Sequence, residues 1–206
     1  MRGRGWALSW ALIALPYYRE TNPTLASYAR RTVDEVLGDV GSMVSRVDRV
    51  AAMAVTIAVE SPLQDEVREL IAALNAYLLT ITPQEFCTHL TVEQMADADT
   101  TVFIARDEGR AVACGALRRH AGGVGEVKRM YTVPAQQGQG IGGRILARIE
   151  ELAREEGFTR LVLETGHDHA PAWRVYERGG FTRCGPVLDY PDTGYSIFYE
   201  KTIAAR

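Results

Sequence analysis

The pattern of apolar and polar residues predicts an α/β domain that begins near residue 54. Apolar residues alternate with smaller or polar ones over residues 54–59, as they do in a half-buried strand. From Leu63 to Leu78 the apolar residues instead recur with helical spacing. Ser61-Pro62 is predicted to form the N-cap and first turn of that helix, and Thr82-Pro83 to open a second helix.

The rest of the chain continues the succession of strands and helices. Residues 101–105 and 111–117 read as strands joined by the hairpin turn Asp107-Glu108-Gly109. The remaining predicted elements are a strand at 126–133, a helix from Ile141 that Gly157 ends, a strand at 160–164, a helix at 171–178, and strands near 181–184 and 196–201. The order β-α-α-β-β-β-α-β-α-β-β predicts a single α/β domain with a mixed, mostly antiparallel sheet flanked by helices.

A run of glycines lies between the strand at 126–133 and the helix that follows it. Residues 137–142 read Gln-Gly-Gln-Gly-Ile-Gly, and Gly143 comes next. Each glycine costs about 1 kcal/mol relative to alanine inside a helix. In return, the missing side chains leave a row of backbone N–H groups open at the positive end of the helix dipole. We therefore predict that a diphosphate-bearing cofactor binds here.

The glycine spacing alone fits more than one cofactor. Gly138-x-Gly140-x-x-Gly143 also matches the dinucleotide fingerprint, and Glu164 lies about 20 residues further on, where a ribose-binding acid is expected. That fold needs repeated parallel βαβ units, however, and this chain supplies only one around the loop. A Walker P-loop fits less well, because its Lys-Ser/Thr pair is missing. A dinucleotide-dependent oxidoreductase remains an alternative at this point.

Three segments in register resemble one known family. The loop at 137–142 fits the acetyl-CoA motif Gln/Arg-x-x-Gly-x-Gly/Ala, and residues 172–181 fit Ala-x-x-x-Tyr-x-x-x-Gly-Phe. The strand at 126–132 reads Glu-Val-Lys-Arg-Met-Tyr-Thr, where one bacterial subgroup has Glu-x-Lys-Arg-Met-Tyr-Val. Over residues 54–203 the chain thus resembles the GNAT superfamily of N-acetyltransferases.

The resemblance implies an acetyl-CoA-dependent N-acetyltransferase that moves an acetyl group to a primary amine by direct attack in a ternary complex. It places the diphosphate on the backbone amides of the glycine run and the pantetheine arm beside the strand that precedes it. His169 stands where the family often has an asparagine that meets this arm. The implied cofactor-binding residues are Met130, Tyr131, Thr132, Gln137, Gly138, Gln139, Gly140, Ile141, Gly142, Gly143 and His169.

Acetyl transfer needs a base for the amine and an acid for the departing thiolate. Tyr176 is the candidate acid, because a phenol stays protonated at neutral pH; a packing tyrosine is the alternative. Glu126 and Glu164 are the candidate bases, since burial can raise the pKa of a carboxyl toward neutrality. An ordinary salt-bridged carboxylate, or a water chain without a single base, is the alternative for each. Lys128 and Arg129 are expected to pair with these acids.

Composition and charge narrow the partners. The 206 residues carry a net charge of −3, which gives no general attraction to nucleic acid or to anionic membranes. Cys87, Cys114 and Cys184 are widely spaced and lack any CxxC pairing, so we expect three thiols, mostly buried, in a reducing, cytoplasmic compartment. His167-x-His169 suggests a metal pair, but no third ligand is evident, and we predict no metal site.

Residues 1–52 differ from the rest of the chain. They carry 7 basic and 5 acidic residues, which leaves 16 and 21 for the remainder. Arg2, Arg4 and the apolar residues 6–15 resemble an export signal, but the apolar stretch is shorter than the about 20 residues that span a bilayer, and no clear cleavage site follows. We predict that residues 1–52 are a dispensable extension or a mis-assigned start, and that the acetyltransferase domain comprises residues 53–206.

The acceptor is not specified by any motif in the sequence. The family acetylates small amines, antibiotics, amino acids, polyamines, and the N-termini or lysines of proteins. The acidic balance of residues 53–206 favours a cationic acceptor. A non-catalytic acyl-CoA-binding module of the same fold is retained as an alternative function, and a homodimer is retained as a hypothesis for the assembly.

Overall fold

A computed structural model describes residues 27, 29–35, 55–86 and 89–204. The chain divides into two units, residues 1–54 and residues 55–206. Within the first unit, residue 27 and residues 29–35 are helical, and Ala29 is buried. Three features discussed above lie outside the described residues: the domain start at Met53, the apolar stretch at 6–15 and the thiol of Cys87.

Seven strands of the second unit form one sheet with the order β1-β2-β3-β4-β5-β7-β6. The strands are β1 Thr56–Val59, β2 Thr100–Asp107, β3 Arg110–His120, β4 Val124–Thr132, β5 Arg160–Gly166, β6 Thr182–Cys184 and β7 Ser196–Thr202. Neighbouring strands run antiparallel except for β4 and β5, which are parallel. The predicted order of elements and the mixed, mostly antiparallel α/β sheet are confirmed. A dinucleotide fold is excluded, because it requires a series of parallel strands.

Helices cover both faces of this sheet. They are α1 Asp65–Ile81, α2 Val92–Met95, α3 Ile141–Glu155 and α4 Ala170–Arg178. Phe103 of β2 packs in a core cluster with Ile145 and Ile149 of α3, whereas the adjacent Ile104 packs in a second cluster with Ile71 of α1. Successive strand residues therefore point to opposite faces, and each face buries an apolar helix.

The helix boundaries before β2 differ from the prediction. Ser61 does not cap α1, because its Oγ accepts a hydrogen bond from the Leu63 N–H (3.3 Å) and so closes a local turn. The helix begins four residues later, after Gln64, which provides no side-chain cap. The predicted second helix is also split, into a 3₁₀ turn at Gln84–Phe86 and the short α2, which Thr91 caps with a capping box.

Candidate active site

A cleft opens where the one parallel pair of strands separates. β4 and β5 pair only from Val124–Arg160 to Glu126–Val162, although both strands continue beyond these residues. The space between them is a cavity of about 130 Å³. Its walls come from β4, β5, α4 and the C-terminal part of α1: Val127, Lys128, Arg129, Met130, Glu164, Thr165, Gly166, His169, Ala172, Tyr176, Leu74, Leu78 and Thr82, with Phe86, His89 and Tyr195 at its edge.

A β-bulge in β4 shapes one wall of this cleft. The register between β3 and β4 shifts between Cys114 and Ala116, and Arg129 lies opposite the shift with φ of 56°. Few residues other than glycine adopt such a φ, so the surrounding fold must hold it. The Cys114 thiol donates to the Arg129 carbonyl (3.2 Å) and is fully buried, which raises its pKa to about 12. Cys114 is therefore a core residue, as predicted, and it is not a nucleophile.

The glycine run forms an open row of amides at the start of α3. Gly138 and Gly140 have φ of 79° and 78°, and Gly140 is the N-cap of α3 without any side-chain cap. No acidic residue lies in the first turn of the helix. A Cβ on Gly143 would meet nothing within 4 Å, so this side of the first turn is uncovered. The arrangement is suited to receive an anion at the helix N-terminus.

The other predicted residues of this segment contribute in different ways. The Gln137 side chain donates to the Thr132 carbonyl (3.0 Å), which ties the loop to the end of β4. Gln139 is exposed, whereas the Ile141 side chain is buried in the core, which leaves only its backbone for a ligand. Gly142 is the helical glycine that faces inward, since a Cβ there would lie 3.9 Å from the Thr132 Oγ1.

The predicted pantetheine contacts on β4 and at α4 divide between the cleft and the core. Met130 lines the cleft. Tyr131 instead packs in the cluster of α1, where its ring lies 6.4 Å from that of Tyr77. His169 lines the cleft as the N-cap of α4, and its Nε2 lies 3.1 Å from the Thr82 Oγ1. Burial lowers the pKa of His169, so its imidazole is neutral at pH 7.

Glu126 is the centre of a buried polar network that includes Lys128 of the cleft wall. Only 2% of the residue is exposed. Its carboxylate is hydrogen-bonded to His120 Nε2 (2.9 Å), Lys128 Nζ (3.0 Å) and the Tyr190 hydroxyl (2.7 Å). Burial acts to raise the pKa of Glu126, but Lys128 and the hydrogen bonds from Tyr190 and His120 outweigh it, and the net pKa is lowered. Such a carboxylate stays ionised and holds few free lone pairs.

Glu164 and Tyr176 both line the cleft. Burial raises the pKa of Glu164, and the charge of Glu126 adds to this, while Ser196 and Lys128 act against it. Tyr176 is 6% exposed and packs its ring against Phe181 and Tyr199, at centroid distances of 6.2 and 6.0 Å. Burial raises the pKa of Tyr176, so the phenol is protonated at neutral pH. The cleft thus holds a proton acceptor and a proton donor together.

The expectation for the two basic residues of β4 is half right. Lys128 pairs with Glu126, as predicted. Arg129 pairs with no acid among the described residues; its Nη2 donates to the Asn75 Oδ1 of α1 (2.6 Å) instead. The bulge explains the difference, because it shifts the alternation of β4 by one residue. Val127 packs in the cluster of α3 and Tyr131 in that of α1, although an even spacing would put them on the same face of a regular strand.

Several cleft residues were missed by sequence reasoning. The Tyr195 hydroxyl donates to the Ile81 carbonyl (2.6 Å), and its ring stacks on Phe86 at 5.1 Å, so the two rings close one side of the cavity. Tyr190 binds Glu126 from the same loop. Two tyrosines in the otherwise polar stretch 189–195 are the only sequence signal that could have pointed to this loop.

The described part of the chain holds no group of three or more His, Cys, Asp or Glu side chains that could bind a metal ion. His167 pairs with Asp168 (3.3 Å) at an exposed position, and His169 faces the cleft. In the same residues, none of the helices has the length and apolar character that crossing a membrane requires.

Comparison with known proteins assigns this architecture to a class. A seven-stranded mixed sheet with a cleft at its parallel pair, beside an uncapped glycine-rich helix start, has the features of an acyl-CoA-dependent transferase. The acetyltransferase (GNAT) family model matches residues 67–181. The chain therefore belongs to the GNAT acetyltransferase family, and it is an acetyl-CoA-dependent N-acetyltransferase.

Individual relatives agree with this assignment over nearly their whole length. An IAA acetyltransferase of Azospirillum brasilense is 43% identical over 150 residues, which cover 72% of this chain and 98% of the relative. The uncharacterized N-acetyltransferase YsnE of Bacillus subtilis is 31% identical, over 66% of this chain and 93% of its own. The crystal structure of a Klebsiella pneumoniae protein, provisionally named an acyl-CoA N-acyltransferase, matches with a TM-score of 0.62 at 33% identity, over 73% and 98% of the two chains.

Proposed function

We propose that this enzyme transfers the acetyl group directly from acetyl-CoA to a primary amine in the cleft between β4 and β5, with Glu164 as the base and Tyr176 as the acid. The observation that carries the proposal is the meeting of these two side chains in one cavity, at the point where β4 loses its parallel partner. The open amides at the start of α3 lie beyond the end of β4 and would hold the diphosphate.

The residues of the cleft divide the proton transfers between them. An ammonium group first loses one proton to water, and Glu164 takes a second as the neutral amine attacks the thioester carbonyl. The N–C bond forms with an oxyanion on the carbonyl oxygen, and the C–S bond breaks when this oxyanion collapses to the amide. A backbone N–H in the bulged part of β4, near Met130, would stabilise the oxyanion. Tyr176 donates its phenol proton to the departing thiolate. Burial keeps that proton in place until the thiolate develops.

Glu164 is a better candidate for the base than Glu126. Glu164 lines the cavity and has a raised pKa, which brings it closer to the pKa that a base needs near neutral pH. Glu126 is not among the residues that line the cavity, and its carboxylate is hydrogen-bonded to three side chains. We assign Glu126 the role of holding Lys128 and Tyr190 in position.

The test is release of free CoA from acetyl-CoA with a panel of amines, and IAA, from which the Azospirillum relative takes its name, is assayed beside them. We expect Tyr176→Phe and Glu164→Gln each to lower kcat by about 100-fold, the usual contribution of one proton-transfer group. In the wild type, kcat should fall with decreasing pH through a pKa above the ordinary value of about 4.3 for Glu. This fall should vanish in Glu164→Gln.

Three results would count against these assignments. An unchanged rate in Tyr176→Phe would show that Tyr176 is not the acid. An unchanged pH profile in Glu164→Gln would show that Glu164 is not the base. A wild type that binds CoA but releases none from acetyl-CoA with any amine would favour a non-catalytic acyl-CoA-binding module.

A further inference from the structure

Arg129 is a buried cation with incomplete hydrogen bonding in the wall of the cleft. The residue is 7% exposed and lines the cavity. Its Nη2 donates to the Asn75 Oδ1, but Nε and Nη1 are fully buried and have no hydrogen-bond partner among the described residues. A guanidinium carries N–H donors on all of these nitrogens, so most of its donors are unused.

Such an arrangement is costly for the free protein. Buried charges in proteins are normally paired, because removing a charge from water without a partner is strongly unfavourable. Burial accordingly lowers the pKa of Arg129, and the Cys114 thiol, which donates to the Arg129 carbonyl, offsets only part of this. The backbone of Arg129 is strained as well, with φ of 56°. A strained residue with unused donors at the wall of an active-site cleft indicates a binding role.

The charges around the cavity make Arg129 distinct. Glu164 is the one carboxylate among the described residues that line the cavity. Lys128 is already paired with Glu126. Burial lowers the pKa values of His89 and His169, so neither supplies a positive charge at neutral pH. Arg129 is therefore the one permanent cation in the described wall that lacks an acidic partner.

The cofactor's phosphates are not the missing partner. Arg129 contacts Asn75 of α1, and α1 packs on the face of the sheet where Ile71 and Ile104 are buried. The amides of the glycine run belong to α3, which packs on the opposite face. An anionic group that pairs with the Arg129 guanidinium must therefore belong to the acceptor.

Building on the proposed function, we infer that the acceptor is a small amine that also bears a carboxylate, and that Arg129 binds this carboxylate. The acceptor's ammonium group would face Glu164 and its carboxylate would face Arg129, so that the two buried charges of the cleft are both matched. The cavity, of about 130 Å³, presents Glu164 to the ammonium group and Arg129 to the carboxylate, so it offers one partner to each charge of such an acceptor.

The test compares acceptors that differ only in this charge. We would measure kcat/KM for leucine against leucinamide, for phenylalanine against phenylalaninamide, and for β-alanine against β-alaninamide. An amide amine is less basic than that of its parent acid, so the ratio of the pair is compared between protein variants, which cancels the intrinsic difference. For at least one pair we expect the wild-type preference for the carboxylate to fall by about 100-fold in Arg129→Met, mainly through KM.

The control variant is Arg148→Met. Arg148 lies on the exposed side of α3, where it pairs with Glu151, and its loss should leave the ratio unchanged. Arg129→Lys should retain part of the preference, because a cation remains without the planar guanidinium. The affinity for CoA alone should be the same in all four proteins, since Arg129 is placed on the acceptor side.

A measurement on the wild type alone covers the case in which Arg129→Met does not fold. The N-acetyl derivative of the preferred amino acid should raise the unfolding temperature more than the matching N-acetyl amide. Equal protection, or an equal acid-to-amide ratio in the wild type and in Arg129→Met, would overturn the inference while leaving the proposed function intact. A wild type that acetylates no amine would instead reject the proposed function, and the inference with it.

Discussion

At the scale of single residues, environment separates the two carboxylates that the sequence could not rank. Glu126 and Glu164 lie on neighbouring strands, and both are shielded from solvent. Glu126 receives hydrogen bonds from His120, Lys128 and Tyr190, which lower its pKa against the effect of burial. Glu164 has fewer such partners, and burial raises its pKa. At neutral pH the ionised Glu126 carboxylate therefore stabilises the folded state, whereas the ionised Glu164 carboxylate destabilises it.

The two neutral substitutions should consequently have opposite effects on stability. A lowered pKa adds stability above the pKa of the unfolded state, and this is lost as the pH falls through the folded-state pKa. At pH 7 we therefore expect Glu126→Gln to destabilise the protein by about 3 kcal/mol, as when one partner of a buried pair is removed. A group with a raised pKa, such as Glu164, behaves in the opposite way: it stabilises the folded state at low pH, and this contribution is lost as the pH rises through the folded-state pKa. Glu164→Gln should raise the stability at pH 7.

Denaturant unfolding of the wild type and both variants, at pH 7 and again near pH 4, measures these differences. The gap between the two variants should narrow at the lower pH, because Glu164, which remains in the Glu126→Gln variant, becomes protonated and no longer opposes folding. Destabilisation of both variants by a similar amount at pH 7 would contradict the contrast between the two environments.

The same scale shows where sequence reasoning reached its limit. The residues of the site could be named from motifs, but their surroundings depend on contacts that the motifs do not record. Lys128 was placed correctly because it follows Glu126 by two residues in a strand, on the same face. Arg129 was misplaced, since the bulge that moves it toward Asn75 depends on the pairing of β3 with β4. The sequence of β4 alone does not predict that bulge.

At the scale of elements, long periodic segments were predictable and short capped ones were not. The apolar residues of α1 and α3 repeat over several turns, and most of the expected positions are buried, although Leu63 and Tyr77 are exposed. The segment between α1 and β2 has no such period. Its structure depends on the capping box of Thr91, which local side-chain hydrogen bonds form, and on the C-cap of α1 at Thr82, whose backbone N–H donates to the Leu78 carbonyl.

The first turn of α3 offers a test of the amide row as a binding element. Gly143 is helical and a Cβ there would meet nothing within 4 Å, so Gly143→Ala should stabilise the helix by up to about 1 kcal/mol. The same methyl group would stand in the space that the diphosphate is proposed to occupy. We therefore expect the Kd for CoA to rise by about tenfold, measured by calorimetry, while the unfolding temperature rises.

Gly157→Ala is the matched control for this change. Gly157 follows the other end of α3 with φ of 77°, and a Cβ there also meets nothing within 4 Å. Alanine is disfavoured at this φ, so the control should lose about 1 kcal/mol of stability and keep its affinity for CoA. An unchanged Kd for CoA in Gly143→Ala would show that the Gly143 amide does not belong to the diphosphate site.

At the scale of the whole molecule, the cleft is a product of topology. The sheet contains one parallel pair within its described strands, and the pair separates after Glu126 and Val162, ahead of the bulge at Arg129. The order of elements predicted a mixed sheet, but the length over which two strands stay paired cannot be read from their sequences. The cavity, and the loop at 189–195 that closes it, became visible only with the fold.

The described core of the acetyltransferase unit also bears on the first 52 residues. Its three apolar clusters draw all their members from residues 55–203. The division of the chain after residue 54 lies close to the predicted start at Met53. We therefore expect a protein comprising residues 53–206 to fold, with an unfolding temperature within about 2 °C of the full chain, because a change of this size corresponds to roughly 1 kcal/mol or less.

A second truncation makes this prediction decisive. A chain that begins at Ser61 would also lose β1, whose residues Thr56–Val59 pair with β2 over its whole length, together with the Glu60 carboxylate that binds the Arg106 guanidinium at 2.8 Å. It should unfold at a clearly lower temperature, since the edge of the sheet loses both its backbone partner and a shielded ion pair. Thermal unfolding and CoA release should therefore match the full chain for residues 53–206 and fall for residues 61–206. Failure of the protein of residues 53–206 to fold would show that the enzyme requires residues 1–52 for its stability.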